Sequence, residues 1–277
     1  MAARGMSESI VIRPMQPGDY ARCVELYARA FLTRNAMTVN LGIAPSAFRA
    51  CIEHETAKCC YSGAGVWRTP ALSLVAVGAG GSIAGFLFVE RFSLFTQPAP
   101  EANLDPGLRT MSDNFFRLYH RAFRRARLPL RHALRGRCAR VVAGGTARAH
   151  EGRGVATALR AACVASCAAR GFARVLAECA HPATRRIWVD KLGARVLATL
   201  PYAEFSDRHA GGWCDWFRCR CCRARPRRFP LARQRGALAL AMVAVRRAPS
   251  ACGRDGPREV VVKLKDALEE EGAMATV

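Results

Sequence analysis

The segment Thr146-Ala147-Arg148-Ala149-His150-Glu151-Gly152-Arg153-Gly154-Val155-Ala156 carries the residue types of an anion site. Gly152 and Gly154 let the backbone turn sharply and come close to a ligand. The first N–H groups of a helix predicted to start at Val155, with the positive end of its dipole, would then favour phosphate. Arg148, His150 and Arg153 add cationic or titratable groups around the turn, and Glu151 opposes them. The spacing is neither a Walker loop, which needs Gly-Lys-Ser/Thr, nor a dinucleotide fingerprint, since Ala156 and Thr157 follow Gly154. A plain strand-to-helix turn would look the same.

Further along, Glu178 closes a predicted strand just ahead of His181. A carboxylate whose pKa is raised by partial burial can take a proton, directly or through a water. His181 carries an imidazole, a common proton-transfer group, and Tyr202 carries a phenol that can donate. Their plain alternatives are an arginine-paired surface carboxylate, a solvated loop histidine and a core-packed tyrosine. Cys214, Cys219, Cys221 and Cys222 are soft metal ligands, but they lack the paired spacing of a zinc finger. Chance clustering in an Arg/Cys-rich segment accounts for them, and no metal is expected.

These groups need a scaffold, and periodicity outlines it. Residues 9–15 alternate apolar and polar as a half-buried strand does. Pro17-Gly18 breaks the chain, Asp19 is suited to cap a helix, and Cys23, Val24, Tyr27, Ala30 and Phe31 follow at steps of three and four. A second helix is predicted from Pro45 to Glu55, opened by Ser46. Residues 72–77 and 83–90, joined by Gly78-Ala79-Gly80-Gly81, read as a β-hairpin. Residues 96–107 read as a loop and 111–125 as a helix with Phe115, Leu118, Tyr119 and Ala122 on its apolar side. Residues 138–146 are a predicted strand. Val155, Ala158, Leu159, Ala162 and Cys163 then mark the buried face of a helix that Gly171 ends. A strand over 173–179, a helix over 182–192 closed by Gly193, and a strand over 195–202 complete an α/β pattern. Residues 213–218 read as a short strand and 260–271 as a terminal helix with a thin apolar face.

The 277 residues carry 43 Lys and Arg against 21 Asp and Glu, a net charge of +22, and 51% are hydrophobic. That mixture excludes global disorder and fibrous repeats. The apolar run Ala237–Val245 falls well short of the roughly 18 residues a membrane span needs, and the start has no apolar core of a secretory signal. A cytoplasmic protein without membrane contact is expected. The charge points toward nucleic acid, yet 39 of the 43 cations are arginines and thirteen of them crowd into 206–258. Such a skew fits codon usage better than phosphate contacts. Of the thirteen cysteines, Cys23, Cys163 and Cys167 sit among apolar residues at helical spacing, as small hydrophobes do. Residues 8–220 are expected to form one domain and 221–277 an Arg/Cys-rich basic tail.

With the hairpin, the predicted order is strand, helix, helix, strand, strand, helix, strand, glycine turn, helix, strand, helix, strand. That order resembles the GNAT N-acetyltransferase superfamily over about residues 8–205. HEGRGVATAL, starting at His150, is similar to its acyl-CoA loop, and HPATRRIWVDKLGARVL, starting at His181, to its next helix and KLGF-like turn. Ala30-Phe31, Met37-Thr38, Leu41-Gly42 and LPYAEF, starting at Leu200, resemble the arylalkylamine and dopamine N-acetyltransferase branch.

The resemblance implies a mixed, mostly antiparallel α/β sheet flanked by helices, with acetyl-CoA as cosubstrate and a small-molecule primary amine as acceptor. Gly152, Arg153, Gly154, Val155 and Ala156 would bind the CoA diphosphate through their N–H groups, beside Arg148, His150 and Glu151. Gly144, Gly145 and Thr146 would pair with the pantetheine arm and splay from the neighbouring strand. Glu178 would act as base where the amine arrives, with His181 and Tyr202 as further candidates and Met37 and Thr38 in the acceptor pocket. The chain also departs from the family pattern. Ala149 replaces the loop's Gln or Arg, and Glu151 needs compensation from Arg148 or Arg153. Asn35-Ala36 replaces a Glu-Pro pair, and the family's tyrosine falls on Val189, or on Trp188 if one residue is inserted. Two rivals remain open: a CoA-binding homologue without catalysis, and a basic nucleic-acid-binding protein.

Overall fold

The alternating first segment forms β1 (Val11–Pro14), and Pro17 at the first helical position then opens α1 (Pro17–Arg34). The computed structural model describes residues 10–62, 65–68, 71–92, 105–126 and 137–201, with the strand segments 206–207, 227–228 and 239–246. Asp19 is not the cap of α1. Gln16 takes that place, and the Asp19 carboxylate accepts the Gln16 backbone N–H at 2.8 Å and two bonds from Arg13 at 2.6 and 3.0 Å. A short helix, α2 (Ala36–Asn40), follows, capped by the Asn35 side chain. Next comes α3 (Pro45–Cys60). Ser46 does not open it: Ala44 is the cap residue, and the Asp105 carboxylate accepts its N–H at 3.1 Å. The helix outruns Glu55 because Thr56, Cys59 and Cys60 continue its buried face.

The hairpin is β2 (Leu74–Val77) and β3 (Ile83–Arg91). The amphipathic helix α4 (Pro106–Ala126) starts earlier than expected, where Asp105 accepts the Leu108 N–H at 2.8 Å. Then come β4 (Cys138–Thr146), α5 (Val155–Ala169) and β5 (Arg174–Cys179). After them, α6 (Pro182–Arg186) runs into a π-helical turn (Ile187–Lys191) ahead of β6 (Arg195–Pro201). Two short strands, β7 (Ser206–Asp207) and β8 (Arg227–Arg228), pair with each other, and β9 (Ala239–Arg246) closes the main sheet.

The main sheet has the order β1-β2-β3-β4-β5-β9-β6, and within it β4 and β5 are the parallel pair. The expected mixed, mostly antiparallel sheet is therefore present. The boundary at residue 220 is corrected by β9, which lies inside the supposed tail yet pairs with β5 on one side and β6 on the other. The apolar run at 237–245 was its signal; the arginines around it hid its place in the sheet. The predicted elements at 213–218 and 260–271 and the four-cysteine cluster lie outside the described residues. Among the described residues no helix is long and apolar enough to cross a membrane, and no group of side chains could hold a metal.

Helices cover both faces. On one face Val155, Leu159 and Cys163 of α5 pack on Val175 and Ala177; on the other, α1, α3 and α4 bring Val24, Phe48 and Leu118 against the sheet. Each fully buried Leu or Phe contributes about 1.5–3 kcal/mol relative to exposure. Cys23, Cys163 and Cys167 are buried as expected, and burial pushes the Cys23 thiol up to about 12, so it stays protonated.

Candidate functional site

Strand β4 follows β5 from Cys138, opposite Arg174, to Val141, opposite Ala177, where the ladder stops. Its other edge stays bonded to β3 until Thr146 faces Gly85. Val142 is an extra residue in that second ladder, since Phe88 faces Ala143 and Val89 faces Val141. A bulge of this kind bends a strand, and here it stands where β4 leaves β5. Residues 142–146 therefore carry no partner strand on the β5 side among the described residues. The result is a fork with an open backbone edge. Gly144 and Gly145 are fixed by packing on β3: a Cβ would come 2.5 Å from Leu87 Cδ1 at the first and 2.7 Å from Phe86 Cε1 at the second.

The glycine turn closes the end of that edge. Arg148–His150 make one 3-10 turn, and Gly152 and Gly154 adopt φ of +76° and +81°, the left-handed region that favours glycine. Nothing lies within 4 Å of a Cβ built at either position, so the turn borders open space. The N–H groups of Val155 and Ala156 precede the first intrahelical bonds, which run from Thr157 and Ala158 to the Gly154 carbonyl. Arg148 is exposed, whereas His150 is buried with its Nδ1 3.2 Å from Arg153 Nη1, so that nitrogen accepts. Glu151 is balanced from an unexpected direction: Arg34, at the end of α1, meets it at 2.5 Å. Both partners are about half exposed, so the pair adds little stability; its effect is to neutralise the carboxylate beside the turn.

A cavity of about 120 Å³ sits at the mouth of the fork, with Tyr27, Met37, Gly144, Arg160, Glu178 and Trp188 among its walls. Glu178 is no surface carboxylate. Its side chain is 6% exposed, and its Oε1 accepts from Arg140 Nε at 3.1 Å. Arg140 also donates through Nη1 to Glu90 Oε1 at 3.1 Å. Burial pushes Glu178 well above the usual carboxylate range, and the nearby Glu90 and Glu55 add to the rise. Burial raises Glu90 as well, with Arg140 pulling it back. Two buried carboxylates thus share one guanidinium, and Glu178 holds a proton more tightly than a solvated acid.

The other candidates divide. His181 reaches the cavity rim, but it caps α6: its Nδ1 accepts the Ala183 N–H at 3.2 Å, which leaves the ring proton on Nε2. Tyr202 lies outside the described residues. Met37 is buried and lines the cavity, whereas Thr38 turns inward and donates to the carbonyls of Phe31 and Asn35. Asn35 also lines the cavity, its side chain accepting the Met37 N–H at 2.9 Å. The π-helical turn adds one residue to the helix after Pro182, and Trp188 accordingly lines the cavity. Trp188 brings an indole N–H, not a hydroxyl, to the cavity wall.

No protein-family profile matches the chain, and no curated protein matches it in sequence. Solved structures do match. Arylalkylamine N-acetyltransferase 2 from Aedes aegypti superposes with a TM-score of 0.61 at 11% identity, over 86% of this chain and 99% of that one. The C-terminal condensation domain of Ebony, in complex with β-alanyl-dopamine, also gives 0.61, at 12% identity over 86% and 99%. An agmatine N-acetyltransferase gives 0.51 at 13% identity over 86% and 100%. The chain has the GNAT acetyltransferase fold.

In this GNAT-fold chain the sequence located the glycine turn, Glu178 and His181, but not the groups that give Glu178 its environment. Arg140 and Glu90 face each other across the β3–β4 ladder, a pairing that becomes visible only when the strands are in register. Arg160 was hidden in the same way. Its position on α5 matches the buried face, and only an arginine among Ala158, Leu159 and Cys163 hints that something charged lies inside.

Proposed function

We propose that this GNAT-fold protein transfers an acetyl group from acetyl-CoA to a primary amine. The observation that carries the reading is the fork between β4 and β5, with an open backbone edge on one arm, a glycine turn at its end and a buried carboxylate at its mouth. The fit to CoA is physical. The N–H groups of Gly152 to Ala156 would hold the diphosphate, as helix starts hold anions. The open edge from Val142 to Thr146 would bond the amides of the pantetheine arm as a partner strand would. The donor supplies an activated thioester; everything else comes from the chain.

In the reaction the neutral amine nitrogen forms a bond to the thioester carbonyl carbon, the carbon–sulfur bond breaks, and CoA leaves as a thiolate that takes up the proton the nitrogen then sheds. The amine must lose a proton to react. Glu178, whose pKa burial raises above the usual carboxylate range, is suited to accept it directly or through a water. Holding the two reactants together removes much of the entropic part of the barrier. Neighbours of the same fold that are named for arylalkylamine and agmatine acetylation favour an amine acceptor.

The test is titration calorimetry with CoA followed by a thiol-release assay with acetyl-CoA over arylalkylamines and polyamines. CoA binding with amine-dependent thiol release is the expected result. Absence of CoA binding by the folded protein would end this reading, and binding without release would leave a non-catalytic CoA binder.

A further inference from the structure

We propose that the cavity at the fork binds a carboxylate carried by its ligand, through Arg160 and Trp188. The proposal rests on the CoA-dependent acyl transfer in that reading and names the substrate class; a carboxylate on the donor would put a dicarboxylic acyl group in place of acetyl. Arg160 stands in the second turn of α5 and is 6% exposed. Its Nη1 donates to the Ala156 carbonyl of its own helix at 2.8 Å, and its Nε meets no acceptor. Among the described residues no carboxylate pairs with it. Its guanidinium instead lies over the Trp188 ring, 6.0 Å from the centroid. Trp188 is 1% exposed, and its Nε1 likewise meets no acceptor.

Two donor-only side chains therefore line one cavity with hydrogen-bonding capacity unused. A buried cation without a counter-charge is costly, and burial holds the Arg160 pKa below its ordinary value. The contrast within the molecule is plain: Arg140 is matched by Glu90 and Glu178, and Arg13 by Asp19. A water or a neutral carbonyl would satisfy a donor and leave the charge. A carboxylate supplies both the acceptors and the opposite sign, in a geometry that suits a guanidinium. The site also adjoins the open strand edge, for Arg160 Nη2 stands 3.5 Å from where a Cβ on Gly144 would be.

The carboxylate can reach this place on the acyl donor, as in malonyl- or succinyl-CoA, or on an acceptor amine that is itself an amino acid. The experiment compares acetyl-, malonyl- and succinyl-CoA with a neutral amine, and acetyl-CoA with amines that do or do not carry a carboxylate. Binding is read by calorimetry with CoA as reference, and turnover by thiol release. A preference of about tenfold or more for the carboxylate-bearing ligand in one arm is expected, and it should vanish in Arg160→Met while CoA affinity stays. If CoA binds but neither arm shows a preference in the parent protein, the proposal is overturned and the acyl-transfer reading stands. If Arg160→Met lowers turnover equally for every donor and acceptor, Arg160 serves a group common to all of them, which also overturns it. Should that variant not fold, the parent comparison alone decides. Loss of CoA binding in the parent would instead remove the underlying reading.

Discussion

Replacing Glu178 by Gln tests whether this carboxylate serves chemistry or architecture. Burial raises its folded-state pKa above the unfolded value of about 4.3. The folded protein thus binds that proton more tightly than the unfolded chain does. As pH rises past the unfolded value, the carboxyl costs stability, by about 1.4 kcal/mol per pH unit until the folded pKa is reached. Gln carries no such cost, and its amide oxygen can still accept from Arg140 Nε, now 3.1 Å from the carboxylate. Arg140 also keeps Glu90. Glu178→Gln is therefore expected to melt at the same temperature as the parent at pH 7–8, or higher. Thiol release should fall by about 10²–10⁴-fold, the usual worth of a positioned base. In the parent, log kcat/KM should rise with pH and level off above the raised pKa; the variant should lose that limb. A variant that keeps its rate within about threefold, or that unfolds, would refute the assignment of Glu178 as base.

Other expectations follow from single features. Gly154→Val forces a β-branched residue to φ +81°, where its Cβ meets no neighbour within 4 Å, so it should cost about 1–2 kcal/mol of stability yet leave the protein folded; calorimetry should show CoA affinity reduced about tenfold or more as the turn rearranges. Burial alone would raise the Asp19 carboxyl, but bonds from Arg13 and the Gln16 backbone outweigh it and hold the pKa below the usual range. Its stabilisation is present above the unfolded pKa and lost as pH falls through the folded one, so Asp19→Asn should lower the melting temperature at pH 7 and narrow that gap in acid. A chain ended at residue 220 lacks β9 and leaves β5 and β6 without their shared partner; it should fail to give a sharp melting transition, whereas one ended at residue 250 should keep it.

Where a segment's own periodicity and its two ends agree, the sequence reading and the structure coincide. Strand β4, helix α5 and the glycine turn between them are such segments, and so is the β2–β3 hairpin. β9 was not legible in the same way. Its apolar run stands alone after a stretch rich in arginine and cysteine, and only the gap between β5 and β6 shows what it is for. The end of α1 was obscured because Asn35 stops one helix and caps the next. The π-helical turn that adds a residue before Trp188 has no local marker, so which of Trp188 and Val189 faces the cavity is decided only in the folded helix. Contacts across strands or between distant helices, such as Arg140 with Glu90 and Arg34 with Glu151, depend on register that no single segment encodes.

The reading depends most on a coenzyme lying along the open edge of β4 and against the turn that follows it. Amide hydrogen exchange of the full chain, with and without CoA, addresses this directly. Peptides spanning Val142–Thr146 and Gly152–Ala156 should gain protection on CoA addition, while those of β1 and β6 stay unchanged. Saturating CoA that leaves both segments exchanging as before would contradict it.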